Sequence, residues 1–163
     1  LSNLPVYYGE VLSEEAQFNL EFGSYNTVLA LTNNESYNSL ICGAFAPEIG
    51  RERVIQLAGD QQIDEEYKKI ADLHMGKSLV SEKISYFEWV RRYSNGWRFK
   101  TTRTSEEAGE NELTGLHENS MKVGVITKAG VITFCTPDFE PQTKPGDLLL
   151  LFEKQSAEKV DKL

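Results

Sequence analysis

The sequence predicts an α/β fold: a short parallel sheet in βαβαβ order, followed by a small α+β unit with antiparallel strands. Three observations carry this. Apolar and β-branched runs alternate with helix-like stretches as far as Leu57, the rhythm of parallel βαβ units. A polar, acidic stretch then breaks that rhythm. From Gly76 onward, short strands separated by Gly and Pro turns dominate.

Pro5-Val6-Tyr7-Tyr8 is β-branched and aromatic, ends at Gly9, and reads as the opening strand. Ser13-Glu14-Glu15 opens a helix, with Ser13 as cap and the acids suited to the helix dipole. Ala16, Phe18 and Leu20 supply its apolar side, and Gly23 ends it. Thr27-Val28-Leu29-Ala30-Leu31 is a continuous apolar run, as expected of a strand buried on both faces. The polar turn Thr32-Asn33-Asn34-Glu35 leads into a helix over about Ser36–Ala46, with Leu40, Ile41, Ala44 and Phe45 inward and Pro47 interrupting near its end. Arg53-Val54-Ile55-Gln56-Leu57 is the third strand.

Residues 1–60 thus form a first domain and 61–75 an acidic linker helix. Residues 76–155 form a second domain, and 156–163 a charged tail. In the second domain, Ile84–Val90 reads as a short helix with Phe87 and Val90 inward, and Trp97–Thr102 as a half-exposed strand. The Glu-rich stretch from Ser105 to Glu112 reads as a loop. Met121–Thr127 and Gly130–Phe134 are strands joined by a Lys128-Ala129-Gly130 hairpin, and Pro145-Gly146-Asp147 turns into a last strand, Leu148–Phe152.

Composition excludes several classes of function. The formal net charge of −8 repels phosphate backbones, so no nucleic-acid partner is expected. It argues equally against direct binding of anionic lipid. No apolar run approaches the roughly 18–20 residues that span a bilayer, and no signal peptide is visible. The first residue is Leu1, from which a piece of a longer protein is expected. Cys42 and Cys135 are far apart, with neither metal spacing nor a disulfide framework, as suits a reducing compartment.

Motifs for turnover are missing. His74 and His117 have no ligand spacing, and neither cysteine has a motif neighbour; no GxSxG and no P-loop occurs. The expectation is that the chain is not an enzyme and holds no catalytic or metal residues. What remains lies at the carboxyl ends of two parallel strands, where ligands of open sheets sit. Gly9 and Glu10 follow the first strand. Thr32, Asn33 and Asn34 follow the second, ahead of a helix start that attracts anions. A strand-ending turn and an N-cap cluster account for the same residues without a ligand. The glycine-rich phosphate loop is absent, so a nucleotide site made of these five residues would be incomplete. Trp89 and Trp97 with Tyr86, Phe87, Tyr93 and Phe99 form the densest aromatic stretch. It reads as the hydrophobic centre of the second domain, or as a partner-docking face.

Val6–Glu10, Val28–Asn38 and Arg53-Val54-Ile55 together resemble the second half of the RCK, or Trk-N, nucleotide-sensing fold, a truncated Rossmann-like sheet. Glu10 stands where that family usually has Asp. Gly76–Val80, Asn95-Gly96-Trp97-Arg98-Phe99-Lys100-Thr101-Thr102, Ser105-Glu106-Glu107, the hairpin at Gly130 and Pro145-Gly146-Asp147-Leu148 resemble the cytosolic tail of bacterial sodium/proton antiporters. The resemblance implies a cytosolic regulatory domain of an integral-membrane cation/proton antiporter, at the cytoplasmic face of the cell membrane. Its implied partners are its own transmembrane domain and a second copy, in a homodimer. No cofactor is demanded by the residues; an adenine nucleotide or NAD(H) is the ligand class implied. A regulatory subunit of a potassium uptake system or channel is the alternative. A nucleotide-dependent enzyme ranks below both, because no acid/base pair is evident.

Overall fold

The computed structural model describes residues 4–20, 24–59, 76–105 and 119–155. The chain divides into two compact units, Leu1–Lys77 and Ser78–Leu163. The fold is mixed α/β, with a parallel βαβ core in the first unit and an antiparallel sheet in the second.

In the first unit, helix α1 (Glu14–Asn19) is capped by Ser13, whose hydroxyl accepts from the Ala16 N–H at 3.1 Å. Strand β1 (Val28–Ala30) runs parallel to β2 (Val54–Gln56), pairing Val28 with Val54 and Ala30 with Gln56. Helix α2 (Glu35–Ile49) makes the crossover. The sheet order is β1-β2-β3, with the two-residue β3 (Lys77–Ser78) beside β2.

The expected opening strand at residues 5–8 is not formed. Val6 and Tyr8 are exposed and unpaired, and residues 4–8 carry no strand. The sheet still has three strands, and only the placement of one is corrected: its third strand is Lys77–Ser78 in place of residues 5–8. Residues 5–8 have strand-forming side chains, but propensity alone builds no strand without a neighbour to complete its ladder. The predicted linker helix at 61–75, the Glu-rich loop beyond Ser105 and the tail at 156–163 lie outside the described residues, as do His74 and His117.

Helix α2 runs past Pro47 to Ile49 and closes at Gly50, whose φ of 93° favours glycine. Pro47 sits in the last turn, where its missing N–H costs one hydrogen bond instead of breaking the helix. The inward positions are Asn38, Ile41, Cys42 and Phe45, at i, i+3, i+4 and i+7. Leu40 and Ala44, expected inward, are exposed. Ile41, Cys42 and Phe45 join Ala30 and Val54 in the core, with Val11, Leu12, Val28, Tyr37, Ala46 and Ile49 around it. Each large apolar side chain buried there contributes about 1.5–3 kcal/mol.

The second unit has sheet order β4-β7-β5-β6, from β4 (Trp97–Arg103), β5 (Ser120–Ile126), β6 (Ile132–Phe134) and β7 (Leu148–Lys154), all pairs antiparallel. The central strand β7 buries Leu149, Leu151 and Phe152. Helix α3 (Tyr86–Ser94), capped by Ser85, lays Trp89 on the sheet. Ring centroids of Trp89, Trp97 and Phe99 lie 4.8, 5.3 and 4.8 Å from that of the buried Phe152, so these partly exposed aromatics cover one face of the sheet, while Val125, Leu149 and Leu151 form the buried core cluster. Phe87 and Val90, expected inward, point to solvent. Trp89 takes the inner side because the larger ring fills the space over Phe152. Asp147 is buried, and its carboxylate accepts from the N–H groups of Lys128 at 3.2 Å and Lys144 at 2.9 Å, tying the hairpin to the last turn.

Strand β5 shifts register between Lys122 and Gly124, and this bulge brings Gly124 hard against β6. A Cβ there would meet the Thr133 carbonyl oxygen at 2.5 Å and the Phe134 Cα at 3.1 Å, both backbone atoms that cannot swing away. Gly124→Ala is therefore expected to destabilise the protein by about 1–3 kcal/mol, read as a lowered midpoint in chemical denaturation. An unchanged midpoint would mean that β6 is free to move.

Candidate functional site

The residues singled out in the sequence meet around the start of α2. After β1 the chain turns through Thr32, Asn33 and Asn34. Asn34 caps α2, its side-chain oxygen accepting from the Tyr37 N–H at 3.0 Å. Asn38, only 1% exposed, turns back onto the same loop. Its Nδ2 donates to the Thr32 carbonyl at 2.9 Å, while its Oδ1 accepts from the Thr32 N–H at 3.1 Å and the Thr32 hydroxyl at 2.7 Å. The amide thus pairs with Thr32 much as a neighbouring strand would. The Asn34 N–H donates to Thr32 Oγ1 at 3.2 Å, which closes the turn.

Gly9 and Glu10 reach this rim through Tyr37. The Tyr37 hydroxyl donates to Glu10 Oε1. The Glu10 carbonyl accepts from the Ser13 hydroxyl at 2.7 Å and the Ser13 N–H at 3.1 Å, fixing the turn into α1. Tyr37 therefore holds both segments, Asn34 through its backbone and Glu10 through its ring hydroxyl. Gly9, Glu10, Asn33 and Asn34 are exposed, and Thr32 is half-buried.

The chemistry left over at the rim is limited. The Thr32 hydroxyl is committed to Asn38, and the Asn34 oxygen to the helix cap. Glu10 keeps a second carboxylate oxygen, and Asn33 makes no side-chain hydrogen bond among the described residues. An acceptor and an amide at the edge of a parallel sheet can meet a diol or the edge of a base. Neither supplies a positive charge for phosphate. Asn38 and Tyr37 are the residues that sequence reasoning left off the candidate site. The signal for Asn38 was available, because a polar residue at the i position of an i, i+3, i+4, i+7 core stripe needs a partner.

No group of three or more metal-ligating side chains is present among the described residues. Cys42 lies in the core, where burial pushes its thiol from the ordinary 9.0 up to about 11, partly offset by the Gly76 N–H. Cys135 is likewise buried. No described helix is long and apolar enough to cross a membrane.

No family model and no curated protein matches the chain. A solved structure described as "Crystal Structure of the GsuK RCK domain" aligns with 94% of this chain at 15% sequence identity and a TM-score of 0.36; the chain spans 36% of that chain.

Two predictions follow from the site. Asn38→Ala removes all three bonds to Thr32 and is expected to cost about 1–3 kcal/mol, with faster amide exchange at Thr32 and Asn34; exchange confined to distant segments would contradict the clamp. Second, the native protein at pH 8 should react with an aromatic disulfide reagent only as fast as it opens, because the thiolate is the nucleophile and Cys42 stays protonated. A thiol titrating within seconds in the folded state would show Cys42 or Cys135 to be accessible.

Proposed function

We propose that the chain is a non-catalytic regulatory domain of a membrane cation/proton antiporter, working at the cytoplasmic face of the cell membrane. The observation that carries this reading is the joining of Gly9–Glu10 and Thr32–Asn34 into one rim by Tyr37 and Asn38. Regulation of this kind needs a ligand, a proton or a partner that binds two arrangements of the domain unequally. A rim built from a few exposed hydrogen bonds at a sheet edge is a suitable place for such a difference to act. The ligand class is an adenine nucleotide or NAD(H), held by Glu10 and Asn33 through ribose or base, with the phosphates needing groups beyond these residues. The domain pairs with a second copy and with its own transmembrane part.

The order of the segments resembling antiporter tails, above all Asn95-Gly96-Trp97-Arg98 followed by Ser105-Glu106-Glu107, favours the antiporter over a potassium-uptake regulator. The test is proton flux in proteoliposomes holding the full-length gene product, driven by sodium or potassium gradients, with and without Asn38→Ala. Cation-dependent proton exchange, with a cation KM or pH profile moved several-fold by the substitution, is the expected result. Potassium flux without proton exchange would transfer the domain to the potassium systems. Transport indifferent to the domain would end both readings. Calorimetry of the chain alone with ATP, ADP, NAD⁺ and NADH should give dissociation constants weaker than ~1 µM; tighter binding would show the rim to be a complete site.

A further inference from the structure

Strand β4 is an edge of its sheet: β7 lies on one side, and among the described residues no strand lies on the other. Antiparallel strands turn the peptide groups of alternate residues toward the same neighbour, and the two ends of the β4–β7 ladder show which residues these are. Gly96 accepts from the Gln155 N–H at 3.1 Å, and the Thr104 N–H donates to the Asp147 carbonyl at 2.9 Å. Both bonds fit the unbroken register that pairs Trp97 with Lys154 and Arg103 with Leu148. The even-numbered residues therefore bond β7, and the peptide groups of Trp97, Phe99, Thr101 and Arg103 point away from the sheet. The Trp97 carbonyl is already used, accepting from the Arg98 guanidinium at 2.7 Å. Phe99, Thr101 and Arg103 each keep an N–H and a C=O directed outward, the template on which a further strand adds. The opposite edge strand, β6, has only three residues, a length that blunts an edge. Strand β4 has seven, with no proline and no register shift.

Charge decides what this edge accepts. The chain carries −8 overall, yet β4 holds Arg98, Lys100 and Arg103 and no acid. The two guanidinium groups donate to carbonyls, Arg98 to Tyr93 and Trp97 and Arg103 to Gly146, bonds that leave their charge uncompensated. Lys100 meets a carboxylate, Glu153 at 2.9 Å, and is still 54% exposed. We propose that the free edge of β4 takes up an extended, acidic segment of a partner protein as a fifth strand. Its backbone would bond Phe99, Thr101 and Arg103. Acidic side chains on one of its faces would lie beside Arg98 and Lys100, and apolar ones on the other beside Phe99, which is 55% exposed. A second copy of β4 is the poorer occupant. It would bring three more cations and no acid to the seam, and pairing about Lys100 would set two ammonium groups directly opposite each other, which is destabilising. The inference goes beyond the function proposed above and requires neither the nucleotide nor the antiporter.

The experiment is amide hydrogen exchange by NMR on the 163-residue chain, alone and with a capped peptide of alternating glutamate and valine; a peptide of alternating lysine and valine is the control. In the chain alone, the N–H groups of Phe99, Thr101 and Arg103 should exchange fast and those of Lys100, Thr102 and Thr104 slowly. The glutamate peptide should slow the first three, bind about tenfold tighter than the lysine peptide, and weaken with added salt. Thr101→Pro removes an outward N–H and no bond to β7, a substitution edge strands tolerate, so it should keep its circular dichroism and lose binding about tenfold. Arg103→Glu, at an exposed position, should narrow the preference for the glutamate peptide with the fold intact. Slow exchange at Phe99, Thr101 and Arg103 in the chain alone would show the edge to be covered by the chain itself. Protection that rises with protein concentration would give it to a second copy. Either result, binding indifferent to peptide charge, or binding unchanged in Thr101→Pro would overturn the assignment.

Discussion

The hydrogen bonds between the Asn38 amide and Thr32 are the constraint on which the first unit turns. A parallel strand that ends inside a sheet leaves peptide groups with no neighbour to bond, and burying such groups unpaired is expensive. Asn38 solves this for Thr32 by offering a donor and an acceptor in one planar group, from the helix the loop itself begins. The consequence runs in both directions. The loop gains a fixed shape, and the helix gains a fixed rotation, because the face that carries Asn38 must be the face that meets the sheet. Ile41, Cys42 and Phe45 are in the core for that reason.

Much of this was legible in the sequence, and the failures have physical causes. Strands at 28–30 and 54–56, the helix between them and the four antiparallel strands of the second unit announce themselves through apolar runs, turn residues and caps. The inward face of α2 was read in part: Ile41 and Phe45 are buried as expected, whereas Leu40 and Ala44 are exposed, because the buried amide of Asn38 sets the register. The inward face of α3 was misread: Phe87 and Val90 are apolar at helical spacing, but Trp89 fits the space over Phe152. Residues 5–8 show the limit of local propensity, since a strand exists only where a partner completes its ladder. At the rim, the polar Asn38 in the core stripe could have been read from its spacing, but the role of Tyr37 could not, because it acts through contacts that spacing does not record.

The two units are stabilised differently, and this bears on where, on the proposed reading, regulation would act. In the second unit, seven-residue strands flank β7 on both sides and an aromatic cluster closes over Phe152. Opening any part of it exposes large apolar surface. In the first unit, β1 and β2 are three residues long, and the rim is tied by a few side-chain bonds at partly exposed positions. Local opening draws on the least buried, most exposed bonds of a fold. Movement at low cost therefore concentrates at the Glu10–Tyr37–Asn34 rim.

On the proposed reading, that division of labour has a further consequence. A ligand shifts an equilibrium only by the difference in its affinity for the two states, so a weakly held rim is moved by a modest ligand where a tightly packed core would not respond. Glu10 is the natural point of action. Its bond to the Tyr37 hydroxyl is exposed and bridges the Gly9–Glu10 turn to the start of α2. A ligand that took the Glu10 carboxylate for a ribose diol would release Tyr37 from it while leaving the Tyr37 N–H on Asn34 and the Asn38 clamp intact. The helix start would hold its place and the Gly9–Glu10 segment would move, which confines the switch to the part of the fold least costly to rearrange.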